Sequence, residues 1–204
     1  EGGIIDDFMM CRLPFAAEDG GLMLVVNAAR KETDIAHIYR AGEHHDTVAL
    51  IESKRSLLAL QGPMANAVLG EGAPAVDRLA FMEATTVEVY GMRCHVSRSG
   101  YTGEDGFEIS VAEADAAALW KKLAADPRVQ PIGLGARDSL RLEAGLCLYG
   151  HDIDTTTSPI EAGLAWSIQK RRREERAFPG VVRILRELKD GPTRRRVGIR
   201  PEGR

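Results

Sequence analysis

Aromatic residues, cysteines and net charge are all scarce in this sequence. Aromatics make up only 5% of its 204 residues, so the core must be built mainly from Leu, Val, Ile, Ala and Met. The three cysteines are widely spaced and odd in number, which fits neither a disulfide framework nor a zinc site. A formal net charge of -3 provides no general attraction to nucleic acid or to an anionic membrane. We therefore expect neither kind of partner.

Long apolar runs are also missing. Leu22–Val26 is among the longest, and it is far too short to span a bilayer. No charged-then-apolar leader opens the sequence, so nothing marks the protein for secretion. The sequence begins without Met, in a strand-like phrase, and stops just after Val197, where a new strand is predicted. We therefore expect an intracellular chain with reduced thiols that is a fragment of a longer polypeptide.

The pattern of apolar residues predicts an α+β fold. Short strands joined by hairpins alternate irregularly with helices, which favours antiparallel sheets over a doubly wound parallel sheet. The charged run over residues 170–176 is predicted to be a solvated loop. The predicted strands are 22–26, 47–51, 57–60, 86–90, 93–97 and 107–111, and the predicted helices are 31–39, 63–70, 113–125 and 135–146.

Two adjacent carboxylates, Asp6 and Asp7, follow an apolar phrase near the start of the sequence. Two such groups cannot both be buried without partners. If they lie on a strand, they point to opposite faces, so one can be solvated while the other enters a cleft. The alternative is an ordinary carboxylate pair at a turn or strand end.

A glycine-rich phrase over residues 97–108 ends in a candidate ligand-binding residue, Glu108. Glycines at a spacing of three build a tight loop, and a strand rather than a helix follows, which excludes a dinucleotide fingerprint. On that strand Phe107, Ile109 and Val111 share the core face, so Glu108 lies on the other face. It either faces water or meets a ligand that carries paired N–H groups.

The third candidate is Arg137, in the first turn of the helix predicted from residue 135. A cation at this position opposes the helix dipole, so Arg137 meets either an anionic ligand or a structural salt-bridge partner. His151, flanked by acids, is interpreted as a hydrogen-bonded loop residue rather than a general base. The polar run over residues 43–46 has the wrong geometry for a metal, and we predict no metal site.

Six phrases together resemble one family, the T-proteins (aminomethyltransferases) of the glycine cleavage system. They occur in the family's order and spacing, and the likeness covers essentially residues 1–200. The phrases are Gly2-Gly3-Ile4-Ile5-Asp6-Asp7, Val25-Val26-Asn27-Ala28, Leu60-Gln61-Gly62-Pro63, Ser99 to Glu108, Gly135-Ala136-Arg137-Asp138 and Leu148-Tyr149-Gly150.

The resemblance implies a cloverleaf fold of two α+β lobes and a C-terminal β-barrel around a folate site. Residues 1–50 would be part of the first lobe and residues 51–170 the second lobe region. Residues 171–204 would be a linker and the start of the barrel, most of which would be absent from this sequence.

The resemblance also implies an activity, a cofactor and a partner. The family transfers a methylene carbon from an aminomethyl-lipoyl H-protein to tetrahydrofolate and releases ammonia, in bacterial cytoplasm or the mitochondrial matrix. Asp7 would be the catalytic carboxylate. The folate-binding residues would be Glu108 at the pteridine edge, Arg137 at the glutamyl side, and Asn27 and Tyr101 along the pteridine pocket. The alternatives are a non-catalytic folate-binding regulatory or repair protein of the same fold, and a structural module that binds no folate.

Overall fold

A computed structural model describes residues 1–12, 22–43 and 54–203. It confirms the α+β class with an antiparallel sheet. The strands are β1 (Met9–Arg12), β2 (Leu22–Val25), β3 (Arg55–Gln61), β4 (Ala84–Val89), β5 (Met92–Ser97) and β6 (Gly106–Ala112). The helices are α1 (Lys31–Gly42), α2 (Ala65–Gly72), α3 (Glu113–Ala124), α4 (Leu134–Glu143), α5 (Lys170–Glu175) and α6 (Val181–Asp190), with 3-10 turns at Pro74–Arg78 and Ala165–Ser167.

The backbone contacts divide the chain into two compact units. The first unit comprises residues 1–9, 26–46 and 147–204, and the second comprises residues 10–25 and 47–146. The second unit carries a four-stranded sheet in the order β3-β6-β5-β4, in which every neighbouring pair is antiparallel. Strands β1 and β2 form a separate two-stranded sheet.

The core of the second unit lies on one face of β6. Phe107, Ile109 and Val111 are fully buried there, as their alternation predicts. Leu119 and Leu123 of α3 join the same cluster. Trp120 was predicted to share the buried face of α3, but it is 46% exposed because that face is narrower than the spacing suggests.

Most predicted elements are confirmed with small shifts of their ends. The predicted hairpin of β4 and β5 is present, but it turns at Tyr90 and Gly91, one residue earlier than the predicted turn at Gly91 and Met92. Helix α2 lies two residues later than predicted at both ends, and α4 ends three residues earlier. The predicted strand over residues 47–51 lies outside the described residues.

Two predictions near the end of the chain are wrong. Residues 170–175 form helix α5 instead of a loop, although none of its residues is buried. Two exposed ion pairs favour this helix by a small amount, because Lys170 and Glu174, and likewise Arg171 and Glu175, lie one helical turn apart. The residues from Val197 to 203 carry no strand. Among the described residues, no helix is long and apolar enough to cross a membrane.

The first unit contains a small apolar cluster beside a buried ionic network. Ile4, Cys147, Ile153 and Ala162 form the cluster. In the network, Arg183 of α6 pairs with Glu161 at 2.8 Å and with Glu187 at 2.7 Å. Arg194 also pairs with Glu161, at 2.9 Å. Both glutamates are less than 9% exposed, so these ion pairs are needed to compensate the buried charges.

Candidate functional site

In the first unit, one side chain, Asn27, contacts both adjacent carboxylates. Its amide nitrogen donates to Asp6 Oδ1 at 2.9 Å and to Asp7 Oδ1 at 2.9 Å. Its backbone N–H also donates to Asp6 Oδ2 at 3.2 Å. The predicted arrangement on opposite faces of a strand is therefore wrong. The reason is that residues 1–8 are not in a strand, since β1 begins only at Met9.

The backbone before the two carboxylates is held by long-range hydrogen bonds. The Ile4 N–H donates to the carbonyl oxygens of Asp154 and Thr157 at 3.2 and 3.0 Å. The Tyr149 hydroxyl donates to the Ile4 carbonyl at 3.0 Å, and Arg30 Nε donates to the Ile5 carbonyl at 3.1 Å. These bonds fix the backbone that leads into the two carboxylates, in addition to the hydrogen bonds that Asn27 donates to their side chains.

Arg30 and Tyr149 also contact each other. The Arg30 guanidinium carbon lies 4.9 Å from the centroid of the Tyr149 ring, within the range of a cation–π interaction. The two side chains therefore form one clamp on the segment that carries Asp6 and Asp7.

The carboxylates of this segment have unusual electrostatics. Partial desolvation raises the pKa of Asp7, and the charge of Asp6 adds to this effect, while the hydrogen bond from Asn27 opposes it. Burial raises the pKa of Asp34, on α1, to about 6, and the hydrogen bond and negative charge of Asp6 contribute as well. The Arg30 charge acts in the opposite direction on the pKa of Asp34. Asp6 thus interacts with two other carboxyl groups, those of Asp7 and Asp34.

In the second unit, Glu108 is buried, with 8% of its surface exposed. It lies between Ala59 and Ser97 in the sheet register, on the face opposite Phe107. Ser99 Oγ donates to Glu108 Oε2 at 3.3 Å, and Ser97 Oγ lies 2.8 Å from Ser99 Oγ. Glu108 is therefore not a solvated surface residue, which was one of the two alternatives left by the sequence.

Glu108 contributes to a raised pKa of a neighbouring thiol, that of Cys11. Burial raises the pKa of Cys11, on β1, and the negative charge of Glu108 raises it further.

The glycine-rich loop before Glu108 is organised by Gln61. Its amide nitrogen donates to the carbonyls of Ser99 and Phe107 at 3.0 and 3.2 Å. A Cβ atom at Gly100 would lie 1.7 Å from Gln61 Oε1, so any side chain at that position would displace Gln61. An Arg98–Asp105 pair with hydrogen bonds of 2.9 and 2.7 Å closes the loop. The glycine there serves close packing of the loop.

The loop also brings Tyr101 together with Arg137. The Arg137 guanidinium carbon lies 4.8 Å from the Tyr101 ring centroid. The nearby acid of α4, Asp138, pairs with the buried Arg141 instead, at 2.8 Å. In the part of the chain that the structure describes, no carboxylate forms an ion pair with Arg137. The structural salt bridge left open for Arg137 is not found among these residues.

The remaining candidates do not form a site in the described part of the chain. His151 is exposed and donates its backbone N–H to the Leu148 carbonyl at 3.1 Å. No group of three or more His, Cys, Asp or Glu side chains among residues 1–12, 22–43 and 54–203 could hold a metal ion. Residues 44–46 of the polar run considered above lie outside these ranges.

Residues 1–172 match the family of GCVT N-terminal domains. The chain belongs to this family. Its match to the domain covers both groups of candidate residues, from Asp6 and Asp7 to Arg137.

The relatives of this GCVT domain are aminomethyltransferases. The chain is 50% identical over 97% of its length to a probable mitochondrial aminomethyltransferase of Schizosaccharomyces pombe, of which it covers 51%. It is 46% identical over its whole length to the mitochondrial aminomethyltransferase of Pisum sativum, again covering 51%. The crystal structure of glycine cleavage system aminomethyltransferase T from Bartonella henselae superposes with a TM-score of 0.82 at 42% identity, over 94% of this chain and 51% of that one. The chain thus spans about half the length of the curated relatives it matches.

Sequence reasoning missed three residues of this GCVT domain that act on the Asp6-Asp7 segment, namely Arg30, Tyr149 and Asp34. Tyr149 stands in one of the six recognised phrases, so a search for partners of Asp7 could have started there. Arg30 and Asp34 lack such a signal, because a charged residue at a helix start is most simply interpreted as solvated.

Proposed function

We propose that the complete protein is an aminomethyltransferase of the glycine cleavage system. It transfers a methylene carbon from an aminomethyl-lipoyl carrier to tetrahydrofolate, with release of ammonia. The observation that carries the proposal is that the side-chain amide of Asn27 donates hydrogen bonds to both Asp7 and Asp6. The names of the relatives support the same activity.

The chemistry of the second unit fits a folate. The pteridine ring presents an amino group beside an N–H, and one carboxylate can accept a hydrogen bond from each. Glu108 is such a carboxylate, buried on the sheet face opposite the core. Arg137, which lacks a carboxylate partner among the described residues, would bind the anionic glutamyl side. Tyr101 would pack beside it and line the pteridine pocket.

In this proposal, Asp7 and Asn27 of the first unit have different roles in the reaction. Bound tetrahydrofolate supplies the amine nitrogens that accept the carbon. Asp7 orients the reacting amine and accepts its proton, and a raised pKa of Asp7 makes the carboxylate a better base near neutral pH. Asn27 keeps Asp7 in the orientation that this transfer needs, in addition to the pocket-lining role expected for it.

The proposed partner is the lipoylated H-protein, which presents the aminomethyl group. We propose the mitochondrial matrix as the compartment in a eukaryote and the cytoplasm in a bacterium. We also propose that residues 1–50 and 51–170 belong to two α+β lobes, and that residues 171–204 lead into a C-terminal barrel. These proposals rest on the family to which the chain belongs. The alternative is a non-catalytic folate-binding protein, and the following experiment distinguishes the two.

Replacing Asp7 with Asn in the full-length gene product tests the proposal. Turnover in a reconstituted glycine cleavage assay should fall by roughly a hundredfold, the usual scale for a general acid–base group. Folate affinity, measured by calorimetry, should change little because Asp7 acts on the reacting nitrogen. Asp190→Asn, at an exposed carboxylate of the same unit, is the matched control. Folate binding by a wild-type protein without any turnover would support the alternative.

A further inference from the structure

Asp34 is a buried carboxyl that the proposed reaction does not use. It lies on α1 with only 4% of its surface exposed. Within the described part of the chain, its Oδ2 atom is buried and has no hydrogen-bond donor against it. An ionised carboxylate in this position would be costly, because buried charges need partners.

The neighbour of Asp34 is another carboxyl, that of Asp6, within hydrogen-bonding reach. Ionised carboxylates only accept hydrogen bonds, so the two can bond only when one of them carries a proton. A proton on the buried Asp34 removes its charge and supplies a donor for Asp6 at the same time. The geometry therefore corresponds to a pair that shares one proton.

We propose that Asp34 is a positioning residue whose protonated carboxyl holds Asp6, which acts through Asn27 to keep the Asp7 carboxylate in place. Asn27 is the connecting group, since its amide nitrogen donates to both Asp6 and Asp7 at 2.9 Å. This inference rests on the proposed function, in which Asp7 acts on the bound folate.

The charges around Asp34 come from three segments. Asp6 approaches from the N-terminal segment and Tyr149 from the segment after residue 147, while Arg30 precedes α1. On α1 itself, Lys31 and His37 lie about one turn away and are exposed. Burial and Asp6 favour the protonated form of Asp34 and raise its pKa to about 6, and the Arg30 charge opposes them.

The arrangement predicts how the site responds to pH. While Asp34 is protonated, Asp6 accepts its proton and Asn27 bridges the two adjacent carboxylates. Once Asp34 ionises, Asp34 and Asp6 repel each other, and the position of Asn27 becomes less well defined. Asp7 should then be held less precisely, and turnover should decline, because a small displacement of a reacting group lowers the rate of the reaction.

Two substitutions of similar size separate the hydrogen bond from simple packing. In Asp34→Asn, an amide N–H donates to Asp6 at every pH, so turnover should match the wild type at pH 5.5 and exceed it severalfold at pH 7.5. In Asp34→Leu no donor remains, and kcat should fall by about tenfold, while KM for folate stays within about twofold. Both are measured in the full-length gene product, with circular dichroism to establish folding.

Carbon-13 NMR of the aspartate carboxyls provides a readout that needs no activity. The wild type should show one carboxyl that titrates near pH 6, absent in Asp34→Asn and shifted in Asp6→Asn. An Asp34 carboxyl that titrates as an ordinary exposed aspartate would overturn the inference, even if Asp34→Leu fails to fold. Asp7→Asn, run in parallel, separates the two proposals. If it abolishes turnover while Asp34→Asn keeps the wild-type pH profile, only the positioning role fails. If it leaves turnover intact, the catalytic role of Asp7 fails, and if the wild type binds folate without any turnover, the proposed function fails.

Discussion

The guanidinium of Arg137 lies over the ring of Tyr101, with 4.8 Å between the guanidinium carbon and the ring centroid. This contact orients the cation without neutralising it, because an aromatic ring carries no net charge. An anionic ligand can therefore still approach the N–H groups at the edge of the guanidinium. In the proposed function, this pair would bind the anionic glutamyl side of folate from the N-terminal half of α4.

Replacing Arg137 with Met should weaken folate binding in the full-length gene product by about 1.5 to 3 kcal/mol, the typical value for a charge-assisted hydrogen bond. Calorimetry should show a larger loss for polyglutamylated folate than for an analogue without the glutamyl group. Tyr101→Leu, which removes only the ring, should have a smaller effect of the same kind. Equal losses for the two ligands would show that Arg137 stabilises the fold instead.

The buried Glu108 predicts opposite effects on binding and on stability. Glu108→Gln keeps the shape but places an N–H where a ligand donor is expected, so folate affinity should fall by about 2 to 3 kcal/mol. The melting temperature without folate should stay the same or rise, since a partly desolvated charge is removed. Glu88→Gln, at an exposed position of β4, is the control for both measurements. Unchanged affinity would rule out the pteridine contact.

Local patterns were sufficient to predict the individual strands of the sheet that carries Glu108, although not the order in which they pair. Alternation along β6 correctly separated Phe107, Ile109 and Val111 from Glu108, because one face of the sheet is covered by α3. The hairpin before it was predicted from two alternating runs around Gly91. Each of these inferences depends only on residues that are close in sequence, which is why the structure confirms them.

The Asp6-Asp7 segment could not be predicted in this way. Alternation of side chains presupposes a strand, but the backbone just before these residues is held by hydrogen bonds from other parts of the chain. Tyr149 donates to the Ile4 carbonyl, 145 positions away, and Arg30 donates to the Ile5 carbonyl. A long-range contact between a hydroxyl and a backbone carbonyl leaves no periodic trace in the sequence. Helix α5 was missed for a different reason, since it buries no residue and therefore has no apolar stripe.

Removing one partner from the buried ionic network of the first unit should be strongly destabilising, because it leaves a buried charge uncompensated. Arg183→Met leaves Glu187 without its ion-pair partner and Glu161 with Arg194 alone, which should cost about 3 kcal/mol of unfolding free energy. Arg186→Met, an exposed position on the same helix, should change stability by less than about 0.5 kcal/mol. Denaturant titration of both variants checks this, and equal midpoints would show that the network contributes little.

The same network makes a prediction for acid conditions. Burial acts to raise the pKa of Glu161, but hydrogen bonds from Arg194 and the Ser158 N–H, with the charges of Arg194 and Arg183, outweigh it and lower that pKa overall. A lowered pKa contributes stability that is present above the pKa of the unfolded chain and is lost as pH falls through the folded value. Glu161→Gln should therefore lose less stability than the wild type between pH 5 and pH 3, as followed by thermal melts. An identical acid dependence in the two proteins would contradict the assignment.

Asp34 should change the unfolding free energy with pH in the opposite direction from Glu161. Its pKa is raised to about 6 in the folded protein by burial and by Asp6, above the ordinary value of 3.8. A raised pKa contributes stability that is fully present below the unfolded value and is lost as pH rises through the folded value. The unfolding free energy of the wild type relative to Asp34→Asn should therefore fall between about pH 4 and pH 6.5, by on the order of 2 kcal/mol. Chemical denaturation of both proteins at half-unit pH intervals measures this difference, with Asp190→Asn as the exposed control. Because Glu161 remains in both proteins, its acid dependence cancels in the comparison. A flat difference would mean that Asp34 binds protons equally in the folded and unfolded protein and shares no proton with Asp6.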